Sequence, residues 1–227
     1  MKKRYAFLSL FLIMTLQACA EEKPVEAETA KVENAVVVSD ANQWVEGEHY
    51  KVLNEEVAET SDVTEFFSFW CPHCFNFEPI AEKIKQQLES TVRFNKVHVN
   101  FMRFTGPETQ NAATQAMLVG RLLNKEDELN QAIFSYIHLQ QQPINGLAEL
   151  KTIFQAKGVE PAEFDKLIAS DELASLFEQN SQTITTFGQH ISGVPNIIVN
   201  GKYQATFTSD MNRDDMVELV VWLSKQS

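Results

Sequence analysis

Apolar positions recur with two different periods in the first half of the folded region, and they predict a strand, a helix and a second strand. Residues 63–70 form a short apolar run rich in aromatic side chains, which is typical of a buried strand. From Ile80 to Leu88 the apolar residues recur at helical spacing. Residues 91–101 form a second predicted strand. Two strands joined by a helix make a βαβ unit, so we expect these strands to be parallel.

The middle of the chain is predicted to be helical, with glycine and proline at the joints. Ser170 precedes two acidic residues and is a plausible helix N-cap, and Gly158 is a plausible helix stop. The predicted helices span residues 108–123, 126–140, 147–156, 161–168 and a longer stretch that begins after Asp171.

The C-terminal part returns to strands. Residues 193–199 predict a strand, Asn200-Gly201 predicts a tight hairpin turn, and residues 202–207 predict the antiparallel return. A final helix is predicted to begin at Asp210 or Asn212.

This order of elements predicts an α/β protein with a thioredoxin fold and an inserted helical domain. The predicted thioredoxin-like domain consists of residues 44–105 and 190–227, and the helical insertion consists of residues 106–189. The composition agrees with a folded chain, because 44% of the 227 residues are hydrophobic and only 22% are charged.

Charge and cysteine content exclude two classes of protein. The formal net charge of −12 argues against a nucleic-acid binder that works through a basic surface. Three cysteines are too few for a small domain held together by disulfides.

The N-terminus predicts export. Residues 1–18 have a basic start, an apolar run and small residues, which is the order of a secretory signal. Cleavage after Ala20 would make the signal 1–20 and remove Cys19. Residues 16–19 instead resemble a bacterial lipobox, in which Cys19 is acylated, and we favour this alternative. Residues 19–43 are acidic, lack aromatic side chains and predict a tether.

The pair Cys71 and Cys74 has three interpretations. A zinc site would need further ligands, and no other cysteine lies in the predicted folded domain, so we expect no metal. A structural disulfide that closes so short a loop contributes little chain-entropy stabilisation. The third interpretation is a redox dithiol at a strand-to-helix turn, and the predicted elements favour it.

The position of the pair predicts different roles for the two thiols. Pro72 fits the first turn of a helix, so Cys71 would lie where unpaired N–H groups stabilise a thiolate. His73 can add a hydrogen bond or a positive charge. Cys74 lies deeper along the helix and is expected to be the resolving thiol.

Four segments carry a resemblance to a known family. Glu65–Cys74, Lys96–Phe101, Gly193–Pro195 and Asn200–Gln204 resemble motifs of the DsbA family of bacterial thiol:disulfide oxidoreductases. The resemblance extends from about residue 44 to residue 227. The combination of Cys-Pro-His-Cys with a Val-Pro about 120 residues later is specific to it.

The resemblance implies a thiol:disulfide interchange oxidase. Such a protein would donate the Cys71–Cys74 disulfide to folding exported proteins through a mixed disulfide at Cys71, and a quinone-linked membrane partner of the DsbB type would reoxidise it. It implies a periplasmic monomer, tethered if Cys19 is acylated, with no cofactor besides the cysteine pair. The alternatives are a periplasmic reductase or isomerase of the same fold, and a tethered chaperone that only binds unfolded chains.

Further residues acquire roles from this comparison. The Val194–Pro195 peptide is expected to be cis and to face the cysteines, with the Val194 backbone binding substrate. Glu65 interrupts an apolar strand and is interpreted as a buried carboxylate of raised pKa that moves protons to or from Cys74, with Lys96 as its counter-charge. Glu78 also matches the family pattern.

The remaining candidates are structural. His98 is interpreted as a core histidine, and His138 is given no role. The apolar side chains expected in the core include Met102, Phe104 and Met117.

Overall fold

The computed structural model describes residues 43–53 and 61–226. The predicted signal, Cys19 and all but the last residue of the predicted tether lie outside these residues. Within the described residues, no helix is both long and apolar enough to cross a bilayer.

Five strands form one mixed sheet. They are β1 (Tyr50–Val52), β2 (Asp62–Phe67), β3 (Arg93–His98), β4 (Asn196–Val199) and β5 (Tyr203–Ala205). Their order across the sheet is β1-β5-β4-β2-β3. As predicted, β2 and β3 are parallel, and β4 and β5 are antiparallel.

Seven α-helices are described. They are α1 (Pro72–Gln87), α2 (Pro107–Leu122), α3 (Glu126–His138), α4 (Leu147–Ala156), α5 (Pro161–Ile168), α6 (Asp171–Phe187) and α7 (Arg213–Leu223). Helices α2 to α6 follow β3 and precede β4 in the chain.

The alternation of side chains along β2 divides the core between the two faces of the sheet. Val63 is fully buried together with side chains of α1 and α7. Phe66 points to the other face, where Ile184 and Phe187 of α6 pack near it. A third cluster contains Phe67 and fills the space among helices α2 to α6. Successive strand residues point to opposite faces, so β2 is buried on both.

Helix ends follow the local sequence. Asn212 caps α7 by accepting hydrogen bonds from the N–H groups of Asp214 and Asp215. Ser170 caps α6 in the same way, by accepting from the N–H of Leu173. Of the two predicted starts of the last helix, the one at Asn212 is therefore correct.

Two expectations about single elements are wrong. Phe104 is not a core residue, because 57% of its surface is exposed in the segment before α2. The run at 63–70 ends as a strand at Phe67, since the chain turns there toward α1. Met117 is fully buried, as expected.

Candidate functional site

Cys71 lies at the turn between β2 and α1. It is the N-cap residue of α1, and its N–H donates to the carbonyl of Ser68 at 3.0 Å. Pro72 follows as the first helical residue, where its missing N–H leaves no bond unmade. Cys74 lies in the first turn and is fully buried, while Cys71 is 3% exposed. Cys71 and Cys74 are not joined by a disulfide, so the structure shows the reduced, dithiol form of the pair.

The two thiols differ in pKa because their surroundings differ. A hydrogen bond from Cys74, followed by the N–H groups of Cys74 and His73 and by the charge of His73, lowers the pKa of Cys71 to about 6. Burial raises the pKa of Cys74, and the neighbouring Cys71 and Glu65 raise it further. At neutral pH the reduced pair therefore holds one thiolate, at Cys71, and one thiol, at Cys74.

The segment before β4 reaches back to the turn. The thiol of Cys71 donates to the carbonyl oxygen of Val194 at 3.3 Å, and the Val194–Pro195 peptide bond is cis as predicted. The Val194 carbonyl therefore lies beside the Cys71 sulfur, although the two residues are 123 positions apart in the chain.

A buried charge cluster lies beneath the cysteine helix. Glu65 in β2 and Lys96 in β3 are register partners, and the Lys96 Nζ lies 3.0 Å from the Glu65 Oε2. Lys96 also donates to the Glu78 carboxylate of α1. Glu65 is fully buried, Lys96 is 3% exposed, and the side chain of Glu78 is 17% exposed.

The cluster changes the acidity of its members. Burial raises the pKa of Glu65 to about 6, although the charge of Lys96 opposes the rise. Burial works to lower the pKa of Lys96, but the carboxylates of Glu65 and Glu78 outweigh it, so this pKa lies above its ordinary value. Lys96 is therefore a permanent cation, and Glu65 is a carboxyl group that can change its charge near neutral pH.

Comparison with known proteins identifies the family of this chain. The family described as DSBA-like thioredoxin domain matches residues 62–219. The thiol:disulfide interchange protein DsbA of Escherichia coli K12 is 34% identical over 169 residues, which are 73% of this chain and 78% of that protein. This chain belongs to the DsbA-like thioredoxin family.

Solved DsbA structures agree with this membership. The disulfide oxidoreductase DsbA of Proteus mirabilis is 28% identical, with a TM-score of 0.71 over 81% of this chain and 98% of that one. A cysteine-to-serine variant of the same protein, solved with the non-covalently bound peptide PWATCDS, is 27% identical, with a TM-score of 0.70 over 81% and 99% of the two chains.

In this DsbA-like chain the aromatic side chains around the motif divide between core and surface. Phe66, Phe67 and Phe69 are fully buried. Trp70 and Phe75 are partly buried and pack against the cluster that contains both cysteines. Most of these rings are therefore core, and Trp70 and Phe75 contribute the partly accessible apolar surface beside the thiols.

Two histidines pack against the motif. The His98 Nδ1 lies 2.8 Å from the Thr114 hydroxyl, and its ring stacks on Phe69. Burial lowers the pKa of His98 to about 3, so it is neutral at physiological pH, as expected of a core histidine. The His138 Nε2 lies 2.8 Å from the carbonyl of Phe69, a contact that sequence reasoning missed. No motif or spacing connects residue 138 to the cysteines, so the sequence carries no signal for it.

A metal centre finds no ligand set in the part of the chain that the structure describes. No group of three or more histidine, cysteine, aspartate or glutamate side chains there could hold an ion.

A cavity of about 400 Å³ lies between α1 and α3, and Glu78 and Lys96 line it with Pro79 and Asp127. The cavity brings solvent to the outer part of the charge cluster.

Proposed function

We propose that this protein oxidises dithiols in folding exported proteins through the Cys71–Cys74 disulfide. Membership in the DsbA-like family makes it a thiol:disulfide oxidoreductase. The observation that carries the direction of the reaction is the opposite shift of the two thiol pKa values at one helix N-terminus. A stabilised Cys71 thiolate favours the reduced enzyme, and that makes the oxidised enzyme an oxidant.

The reaction proceeds in two exchanges. A substrate thiolate attacks the Cys71 sulfur of the oxidised pair, the bond between the two cysteines breaks, and Cys74 leaves and takes up a proton. A second substrate thiolate then attacks the substrate sulfur of the mixed disulfide and expels Cys71 as a thiolate. The substrate loses two electrons and two protons and gains a disulfide, and the enzyme pair is reduced. The low pKa of Cys71 makes it the better leaving group in the second step.

Glu65 is the proposed proton source for Cys74. Its carboxyl group has a pKa of about 6, and its charge contributes to the raised pKa of Cys74, which requires the two groups to be close. Solvent in the cavity that Lys96 and Glu78 line would carry protons toward and away from Glu65. Both residues would then tune the pKa of Glu65 rather than touch the substrate.

Val194 and Pro195 are the proposed substrate-binding residues. The contact from the Cys71 thiol to the Val194 carbonyl places that backbone beside the attacked sulfur. An extended substrate segment would pair with it while its cysteine reaches Cys71. The Proteus mirabilis DsbA variant bound to a cysteine-containing peptide supports a peptide substrate of this kind.

Location and partners belong to the same proposal. We place the protein in the periplasm, with residues 1–18 as the signal, Cys19 acylated and residues 19–43 as the tether. A quinone-linked membrane reoxidase of the DsbB type would restore the disulfide. Residues 44–105 and 190–227 would form the redox domain, and residues 106–189 the helical domain. The mass of the mature protein tests the anchor, since an unlipidated chain that begins at Glu21 contradicts it.

A cysteine substitution series tests the reaction. The oxidised protein should oxidise a peptide with two cysteines stoichiometrically. Cys74→Ser, treated with glutathione disulfide, should form a mixed disulfide at Cys71 with release of one glutathione and should retain it, because the resolving thiol is missing. Cys71→Ser should do neither. Mass spectrometry under denaturing conditions reads all three. Retention of full activity by Cys71→Ser in preventing aggregation of an unfolded protein would favour the chaperone alternative. An equilibrium with glutathione that leaves the wild-type pair oxidised would favour a reductase.

A further inference from the structure

His138 joins the helical part of the protein to the cysteine turn by two contacts. It is the last residue of α3, and its Nε2 lies 2.8 Å from the Phe69 carbonyl. Its ring also stacks on Phe75, with centroids 5.1 Å apart and planes within 10°. Phe69 is two residues before Cys71, and Phe75 is one residue after Cys74. The two contacts therefore bracket the motif.

The carbonyl of Phe69 lies two residues beyond the end of β2, past the last hydrogen bond between β2 and the chain that follows β3. The bond from the Val99 N–H to the Phe67 carbonyl, at 2.9 Å, extends the β2–β3 ladder just past its last paired residues. Within the turn, Ser68 accepts from the N–H groups of Trp70 and Cys71. Phe69 is fully buried, so an unpaired carbonyl there would be costly, and His138 of α3 satisfies it.

The contact with the Phe69 carbonyl requires a proton on the Nε2 of His138. A backbone carbonyl can only accept, so the His138 Nε2 must carry the proton and donate. This holds for the neutral Nε2–H tautomer and for the protonated ring alike.

We propose that His138 is a positioning residue for the redox reaction, and this proposal rests on the function proposed above. Its hydrogen bond and its stacked ring hold the segment from Phe69 to Phe75 in the conformation in which the Cys71 sulfur accepts hydrogen bonds from Cys74 and from the helix N-terminus. The helical part of the chain thereby sets the stability of the Cys71 thiolate. A looser turn would stabilise the thiolate less and make the protein a weaker oxidant.

Three substitutions separate the two contacts. His138→Gln keeps a donor of similar reach but has no ring, His138→Phe keeps the ring but has no donor, and His138→Ala has neither. Leu139→Ala is the matched control, because Leu139 is the next residue and 66% of its surface is exposed. The readouts are the equilibrium constant with glutathione, the pKa of Cys71 from thiolate absorbance, and the thermal midpoint as a separate measure of folding.

The hydrogen-bond proposal predicts a specific pattern. His138→Phe should shift the glutathione equilibrium toward the oxidised protein by about 3- to 10-fold, the effect of one net hydrogen bond, and should raise the pKa of Cys71. His138→Gln should recover most of that shift, and Leu139→Ala should show none. If His138→Ala does not fold, the Phe and Gln variants, which are close to histidine in size, still decide.

Unchanged redox equilibrium and Cys71 pKa in His138→Phe, with or without a lower thermal midpoint, would overturn the proposal and leave His138 a structural residue. Equal shifts in His138→Phe and His138→Gln would also overturn the role of the donor. Failure of the proposed oxidase function is a different outcome, because it appears in the wild-type equilibrium itself. The contrast among the His138 variants in Cys71 pKa remains readable in that case.

Discussion

The thiol of Cys71 donates a hydrogen bond to the carbonyl oxygen of Val194, 3.3 Å away and 123 residues later in the chain. This bond exists only while Cys71 is protonated, because a thiolate has no proton to donate. Deprotonation therefore frees the Val194 carbonyl to accept from another group. The Cys71–Cys74 disulfide lacks this proton as well, so in the oxidised protein, the form that a substrate thiolate would attack, the Val194 carbonyl is also free to accept.

The first prediction concerns the pH dependence of the reduction potential. Above pH 6 the reduced pair holds a Cys71 thiolate and a Cys74 thiol, so reduction takes up one proton, and below pH 6 it takes up two. Each proton contributes about 30 mV per pH unit to a two-electron couple. The slope should steepen from about 30 to about 59 mV per unit on acidification. Glutathione equilibria between pH 4 and 8 measure it, and one slope of about 59 mV throughout would contradict the low pKa of Cys71.

The second prediction concerns the source of that low pKa. The hydrogen bond from Cys74 is its largest cause, and the charge of His73 is the smallest of those named. A hydrogen bond to a charged group is worth about 1.5–3 kcal/mol, which corresponds to about one to two pKa units. Cys74→Ala should raise the pKa of Cys71 by that amount, Cys74→Ser should restore most of it, and His73→Ala should have the smaller effect. Thiolate absorbance against pH measures all three, and a larger effect of His73→Ala would reverse the order.

The spacing of apolar residues predicts those helices whose own sequence contains a clear apolar stripe. The helices at Leu147–Ala156 and Pro161–Ile168 have the predicted bounds, because glycine and proline punctuate a clear apolar stripe there. β1 at Tyr50–Val52 was not predicted as a strand. It has three residues, none of them buried, and it exists by pairing with β5, about 150 positions later. Pairing over that distance leaves no local signal.

The residues of the site also fall into two groups, those that local sequence predicts and those that depend on tertiary packing. Cys71, Pro72 and Cys74 follow from local sequence, because a strand-to-helix turn is a short-range feature. The position of His138 could not be predicted, since it depends on how the end of α3 packs against that turn. The burial of Phe104 was predicted wrongly for a related reason, because the segment between β3 and α2 has neither period and its apolar residues need not face inward.

The third prediction concerns Glu65. Its pKa in the folded protein is about 6, against an ordinary value of 4.5, so its neutral form is favoured by folding. The stabilisation is complete below pH 4.5 and is lost as the pH rises through 6. The loss amounts to about 2 kcal/mol at about 1.36 kcal/mol per pKa unit. Glu65→Gln should therefore match the wild type near pH 4 and exceed its free energy of unfolding by about that much at pH 7.5.

Urea unfolding of the reduced proteins at the two pH values checks this prediction. Glu89→Gln, the same substitution at an exposed carboxylate, is the control and should stay within about 0.5 kcal/mol of the wild-type free energy of unfolding at both pH values. Lys96 keeps its partner Glu78 in Glu65→Gln, so the substitution leaves no unpaired cation. A variant that is less stable than the wild type at pH 7.5 would show that the Glu65–Lys96 pair outweighs the cost of burying the carboxylate.

The fourth prediction concerns the packing that holds α3, and with it His138, in place. Gly120 in α2 lies against the start of α3, where a Cβ would come 3.3 Å from the Glu126 Cα and 3.5 Å from the Leu129 side chain. Gly120→Ala gains about 0.5–1 kcal/mol in helix propensity and loses a similar amount to crowding, so its stability should change little. Gly120→Val adds two methyl groups to the same space and should destabilise by about 1–3 kcal/mol. Gly188→Val is the matched control, because no atom lies within 4 Å of a Cβ there and its φ of −56° suits any residue. Thermal unfolding measures the three variants, and a Gly120→Val protein as stable as Gly188→Val would mean that α2 and α3 can separate without cost.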